Sequence, residues 1–121
     1  MSMDGALIVE SLRVGATLTV PLRVRALSRF RVADATPEQP PVWTLLEFEA
    51  DDTYADELAS ALSAALGEIG WYANFQTWST LYVVFAGRVF AYARGDEAAD
   101  REAREYARSV GVPETQLDWG S

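Results

Sequence analysis

The run of alternating strands between residues 71 and 93 constrains this chain most, because it contains a recognisable two-residue turn at Gly87-Arg88. Glycine at the first turn position is typical of a type II′ turn, whose twist suits a β-hairpin. The turn would set four cross-strand pairs: Phe85–Phe90 and Val83–Tyr92 on one face, Val84–Ala91 and Tyr82–Ala93 on the other. Both faces of this hairpin are therefore apolar, which predicts a sheet covered on both sides.

Two amphipathic helices flank this run of strands. The first is predicted to begin near a capping box of Thr53 and Asp56 and to end at Gly67. Its apolar stripe consists of Leu58, Ala61, Leu62, Ala65 and Leu66. The second is predicted to begin at the capping residue Asp96 and to end at Gly111. Its inward stripe consists of Ala99, Ala103, Tyr106 and Val110.

Strands are also predicted before the first helix. Residues 17–32 read as an extended segment, which Pro21 places at a sheet edge or at a bend. Residues 42–50 alternate with an apolar inward face, whereas residues 6–12 are too short to assign from periodicity. The whole chain, 1–121, is therefore predicted to be a single α+β domain. We expect a two-layer sandwich, a ferredoxin-like variant in which two helices pack on a mostly antiparallel five-stranded sheet.

Absent residue types exclude several chemistries. The 121 residues include no cysteine and no histidine, and all ten basic residues are arginine. Disulfides, cysteine–zinc sites, Ser-His-Asp triads and lysine Schiff bases are therefore impossible, and we predict no cofactor. The net charge of −8 argues against nucleic-acid binding. No apolar run approaches the roughly 18 residues of a membrane span, and no basic-then-apolar leader is visible, so we expect a cytoplasmic protein without membrane contact.

Charged residues alternate along two neighbouring predicted strands. Four arginines would share the outward face of the first: Arg23, Arg25, Arg29 and Arg31. Their simplest partners are Glu47 and Glu49 across the sheet, and phosphate binding is the alternative. The densest carboxylate group is Glu47, Glu49, Asp51 and Asp52. Its spacing matches no calcium loop, and the two aspartates are explained as helix caps, so we predict no metal site.

One strand face combines aromatic and amide side chains. Strict alternation would bring together Tyr72, Asn74, Gln76 and Trp78, and Tyr82 follows in the next strand. These five residues are predicted to bind a small polar-aromatic ligand. The alternative is a half-exposed sheet face whose polar groups are in water.

Several short runs are similar to a group of small actinobacterial proteins that have no assigned activity. They are residues 83–90 (VVFAGRVF), 94–96 (RGD), 111–114 (GVPE), 116–119 (QLDW), 41–44 (PVWT) and 70–72 (GWY). The resemblance extends over most of the chain from residue 41 onward and more loosely to residues 10–13. It implies a bacterial protein from a GC-rich genome and a cytoplasmic location, and it transfers no catalytic or binding residue.

Two function classes remain open, and the catalytic residues are unknown in both. The first is a non-catalytic binding or assembly module that forms a homodimer or a higher homo-oligomer. The second is a small isomerase- or cyclase-like enzyme on a dimeric scaffold, with tyrosine and a carboxylate as acid and base. The homodimer is expected because two helices on one face would leave the other apolar face of the hairpin uncovered.

Overall fold

A computed structural model describes residues 1–119 of this chain. Their six β-strands are β1 (Ser2–Ile8), β2 (Arg23–Arg31), β3 (Val42–Asp51), β4 (Ala73–Gln76), β5 (Thr80–Phe85) and β6 (Arg88–Ala93). The two α-helices are α1 (Ala55–Ala65) and α2 (Glu97–Ser109). The predicted α+β class is confirmed. Neither helix in the described part of the chain is long and apolar enough to cross a membrane.

All six strands belong to one antiparallel sheet, in the order β2-β3-β1-β4-β5-β6. Strand β1 lies inside the sheet, where it pairs with β3 on one side and with β4 on the other. The prediction of five strands is wrong, because the segment near the N-terminus forms this additional strand. This strand order does not show a ferredoxin-like topology.

Helix α1 packs one face of the sheet with the predicted apolar stripe. Leu58 and Leu62 are almost completely buried against Phe48 and Phe75 of the sheet. The predicted capping box does not form: the side chain of Asp51 accepts from the backbone N–H of Thr53 and caps a 3-10 turn that leads into α1. Gly67 does not adopt a positive φ, because the chain is already extended at Leu66.

Helix α2 packs the opposite face of the sheet. Asp96 caps it as predicted, accepting from the backbone N–H of Ala99 at 3.1 Å. Ala103 and Ala107 of α2 share a core with Val83, whereas the next residue, Val84, belongs to the core of α1. Successive strand residues point to opposite faces, so the sheet lies between the two helices.

The prediction of a two-layer sandwich is therefore wrong. Phe85 is 1% exposed and Phe90 is 9% exposed, and both are covered by α2 of their own chain. The sheet face from which a homodimer was inferred is thus already occupied. The oligomeric state itself stays a prediction, but it needs a different surface.

The β5–β6 hairpin has the predicted faces in a different register. Phe85 pairs with Arg88 and Val83 pairs with Phe90, so the two-residue turn consists of Ala86 and Gly87. Gly87 has the predicted positive φ of 74°, but at the second turn position, as in a type II turn rather than a type II′ turn. The two registers differ by two residues, which keeps every side chain on its face.

Strand β2 is an edge strand, as the preceding Pro21 predicts. The pairing of arginine with glutamate is confirmed for Arg23 and Arg25, whose guanidinium nitrogens lie 3.3 and 3.4 Å from the carboxylate of Glu49. A β-bulge between Val24 and Ala26 then shifts the alternation. The prediction of one arginine face is wrong, because the two remaining arginines, Arg29 and Arg31, pair with Thr44 and Val42 and point to the side of α1.

Candidate functional site

A groove lies beside α2 on the same side of the sheet. Helix α2 packs on β5 and β6, and its core includes no side chain of β1, β2 or β3. A cavity of about 440 Å³ lies between these uncovered strands and the C-terminal segment, residues 112–119. Its floor is formed by Ala6, Ile8, Leu45 and Asn74. This volume is within the range of small-molecule pockets.

Aromatic rings form most of the groove walls: Phe30, Trp43, Trp71, Tyr72 and Trp119. The ring centroids of Trp43 and Trp71 are 5.2 Å apart, and those of Tyr72 and Trp119 are 5.0 Å apart. The indole N–H of Trp43 donates to the carbonyl oxygen of Pro40 at 2.9 Å, and that of Trp119 donates to Asp100 at 2.9 Å. Both indole N–H groups are therefore bonded within the protein, and the carbon atoms of the two rings face the groove.

The C-terminal segment is fastened to α2 through the carboxylate of Asp100. One oxygen of Asp100 accepts from Trp119 and from the hydroxyl of Tyr92, and the other accepts from Arg104 at 2.7 Å. The guanidinium of Arg104 also donates to the carbonyl oxygen of Leu117 and stacks 4.6 Å from the centre of the Trp119 ring. These contacts hold Trp119 at the groove with 3% of its surface exposed.

The ionised form of Asp100 is favoured by these contacts. Burial alone would raise its pKa, but the hydrogen bonds from Arg104, Tyr92 and Trp119 outweigh burial and lower the pKa below its ordinary value. The fixed charge of Asp100 therefore contributes to the docking of the C-terminal segment.

Replacing Asp100 with asparagine should destabilise the protein by about 1–2 kcal/mol at neutral pH, because a charge-assisted bond to Arg104 is lost. A carboxyl group whose pKa is lowered by folding stabilises the fold above its unfolded-state pKa, and this contribution is lost as the pH falls through the folded-state pKa. The difference in Tm between wild type and Asp100→Asn should thus be largest at neutral pH and shrink in acid. Thermal melts over a pH series measure it, with the exposed Glu97→Gln as control. A difference that does not change with pH would contradict this role.

A buried pair of amides joins the C-terminal segment to the loop between β2 and β3. Gln39 and Gln116 are 6% and 8% exposed and exchange two hydrogen bonds, each 3.0 Å long. Gln39 also donates to the carbonyl oxygen of Gly70, and Gln116 also donates to that of Asp34. Each amide therefore uses both of its N–H donors, and the groove wall is held by satisfied polar contacts.

Tyr72 brings a phenol hydroxyl to the groove. This hydroxyl lies 2.6 Å from a carboxylate oxygen of Asp118 and 2.6 Å from the carbonyl oxygen of Gln116. Burial, followed by the nearby Asp118 carboxylate, raises the pKa of Tyr72 well above its ordinary value. The phenol therefore remains protonated at neutral pH and acts as a hydrogen-bond donor.

Three of the five predicted ligand-binding residues share the face of the groove. Tyr72 and Asn74 line the cavity, as their alternation suggested. Gln76 points to the same side, because it lies two residues beyond Asn74 in β4, but it is outside the cavity lining.

The other two predicted residues lie elsewhere. Trp78 follows the end of β4 in the link to β5, so the alternation no longer applies, and 73% of its surface is exposed. Tyr82 points to the opposite face of the sheet, where its ring stacks on Phe75 at 4.6 Å and its hydroxyl lies 3.3 Å from Asp56. The prediction of one five-residue cluster is therefore wrong in its geometry.

The structure also brings residues to the groove that the sequence interpretation did not include. Among them are Phe30, Asp34, Trp43, Gln116 and Trp119, which come from distant parts of the chain. Two signals were present: Trp119 is too large an apolar residue for a free terminus, and Trp43 and Leu45 stand on the otherwise polar face of β3.

Similarity to other proteins does not assign a role to this groove. Comparison with protein-family models, curated proteins and solved structures finds no match for the chain. Within residues 1–119, no group of three or more carboxylates has a geometry suited to hold a metal ion. The function must therefore be inferred from the groove itself.

Proposed function

We propose that this domain is a non-catalytic binding module whose groove holds a small molecule with a flat apolar body and polar groups. The observation that carries this proposal is the cavity of about 440 Å³ with aromatic walls and a few converging polar groups. Pockets for small molecules usually have this combination, in which apolar rings supply affinity and polar groups fix the orientation.

The rigidity of the groove supports the same proposal. Its walls are fixed by the Gln39–Gln116 pair on one side and by the bonds between Asp100 and Trp119 on the other. Side chains held in this way lose little conformational freedom when a ligand binds, so more of the contact energy remains as affinity.

Filling the groove should weaken the binding of a neutral probe. Prodan, an uncharged aromatic dye with a ketone, should bind the wild type with a blue shift of its emission. Ala6 lies on the groove floor, and the side chain of Ala6→Phe would occupy the space of the dye. We expect an affinity at least about tenfold weaker for this variant.

The matched control is Ala93→Phe, which places the same side chain on an exposed position of β6 and should leave prodan binding unchanged. Absence of a blue shift with the wild type, or equal binding by both variants, would overturn the proposal.

A small isomerase- or cyclase-like enzyme is the second candidate, and the contact between Tyr72 and Asp118 favours it. In this reaction the protonated Tyr72 would be the acid and Asp118 would be the base. Chromatography of a bound ligand after incubation separates the two classes. A ligand recovered unchanged supports the binding module, and a ligand recovered as an isomer supports the enzyme.

A further inference from the structure

We infer that the ligand of the groove is a small organic cation, such as an aryl-alkyl ammonium ion. This inference rests on the proposed function and specifies its ligand class. Two carboxylates, Asp34 and Asp118, line the groove among its aromatic rings, and no arginine belongs to the cavity lining in the described part of the chain.

Each of the two carboxylates still has an oxygen that can accept a hydrogen bond from a ligand. One oxygen of Asp34 accepts from the hydroxyl of Thr115, and one oxygen of Asp118 accepts from the hydroxyl of Tyr72. Within residues 1–119, the second oxygen of each carboxylate makes no hydrogen bond, and both side chains are exposed. A ligand in the groove can therefore approach two accepting, negatively charged oxygens.

The hydrogen-bond donors around the groove are mostly used within the protein. The hydroxyls of Tyr72 and Thr115 donate to the two carboxylates, and both N–H groups of the Gln116 amide bind Asp34 and Gln39. Two side-chain donors of the lining have no intramolecular partner among the described residues: the amide of Asn74 at the floor and the indole N–H of Trp71. The two carboxylates still offer more accepting lone pairs than these groups offer N–H donors, which favours a ligand that donates several hydrogen bonds.

The aromatic walls of the groove also favour a positively charged ligand. A cation is attracted to the negative face of an aromatic ring, and tryptophan is the best such partner. Three of the four tryptophans line the groove, and because Arg104 already lies over the ring of Trp119, Trp43 and Trp71 are the two that can contact a ligand cation. The nearby guanidinium of Arg104 is neutralised by Asp100 at 2.7 Å. The net charge of −8 also favours the approach of a cation.

Three probes that share a phenylethyl group and differ in charge test which charge the groove prefers. They are phenethylammonium, which is positive, phenethyl alcohol, which is neutral, and hydrocinnamate, which is negative. Their phenyl groups absorb little where indole does, so quenching or enhancement of tryptophan fluorescence reports binding directly. We expect the ammonium ion to bind the wild type at least about tenfold more tightly than the alcohol, and the carboxylate to bind more weakly than both.

The double variant Asp34→Asn, Asp118→Asn should bind the ammonium ion no better than the alcohol. Its affinity for the alcohol should stay that of the wild type, which shows that the groove is still formed. The control is Glu57→Gln, Glu97→Gln, which removes two charges from exposed positions outside the groove lining and should retain the preference for the cation.

Two results would overturn the inference. If prodan binds and the ammonium ion shows no preference over the alcohol, the groove binds small molecules but not cations. If the preference persists in the variant without Asp34 and Asp118, other charges cause it. Failure of prodan to bind the wild type would overturn the proposed function itself.

Discussion

Gly5→Ala should destabilise the protein by about 3 kcal/mol or more and lower Tm by about 10 °C or more. An alanine Cβ at this position would lie 2.4 Å from the Cβ of Phe75 and 2.6 Å from the carbonyl oxygen of Asn74. Both atoms belong to the neighbouring strand β4, so the clash is relieved only by moving β1 away from β4. These strands are inside the sheet, where such a movement disturbs the pairing on both sides.

The space for a side chain at Gly5 is taken by its neighbours in the same row across the sheet. Gly5 is directly between Phe48 of β3 and Phe75 of β4, and both phenylalanines are almost completely buried. The phenyl ring of Phe75 stacks in turn on Tyr82. The missing side chain of Gly5 provides the space that these rings occupy.

Gly67→Ala is the matched control for this experiment. Gly67 also lacks a positive φ, and its added Cβ would come closest to a side-chain carbon of Trp71, at 3.1 Å, while the nearest backbone atom, the carbonyl oxygen of Ser11, lies at an ordinary contact distance of 3.6 Å. We expect a change of less than about 1 kcal/mol, because a side chain shifts more easily than a paired strand. Thermal melts of both variants measure the difference. Equal Tm values would contradict the placement of β1 between β3 and β4.

Leu62→Ala should cost about 2–5 kcal/mol, through lost burial and through the cavity that remains under α1. Leu62 is 1% exposed and packs in the core that α1 shares with the sheet. Since a domain of this size has a total stability of about 5–15 kcal/mol, this variant would lose a large part of it. Urea unfolding at constant m-value measures the change.

The same substitution at Leu27 provides the control. Leu27 is 62% exposed on the edge strand β2, so Leu27→Ala should change the free energy of unfolding by less than about 1 kcal/mol. If Leu62→Ala is as mild as Leu27→Ala, α1 does not cover this face of the sheet.

Local patterns predicted most of the individual elements. The stripe of α1, the cap of α2 at Asp96 and the inward face of β3 all follow from side chains within a few residues of each other. Strand β1 was not predicted from the sequence, because Gly5 and Ala6 give almost no alternation of apolar and polar side chains between its two faces. Its place in the sheet is set by partners 37 to 72 residues away, at Leu45–Asp51 and at Asn74–Gln76.

Long-range arrangement accounts for the remaining errors. The apolar faces of the β5–β6 hairpin were identified correctly, but the sequence does not indicate which helix covers which face. The register was two residues off, because a shift of two preserves every face and only the backbone of the turn distinguishes the two pairings.

The groove was identified only in part for a similar reason. Tyr72 and Asn74 are neighbours in one strand, so their alternation showed a common face. Gln39 and Gln116 meet across 77 positions of sequence, and no local pattern predicts such a contact.

The arginines of β2 also have a consequence for self-association. An exposed edge strand offers unpaired backbone groups to a second copy of itself, which is a route to aggregation. Strand β2 carries arginines on both faces of the sheet, Arg23 and Arg25 on one and Arg29 and Arg31 on the other, so a second copy of β2 paired with it would place further arginines beside them on both faces. Like charges brought close to each other across a strand pair repel, and the bulge between Val24 and Ala26 further disrupts a continuous ladder. Two copies of this protein are therefore disfavoured from joining through their β2 edges, which leaves the opposite edge strand β6 and side-chain packing as the routes to a homo-oligomer.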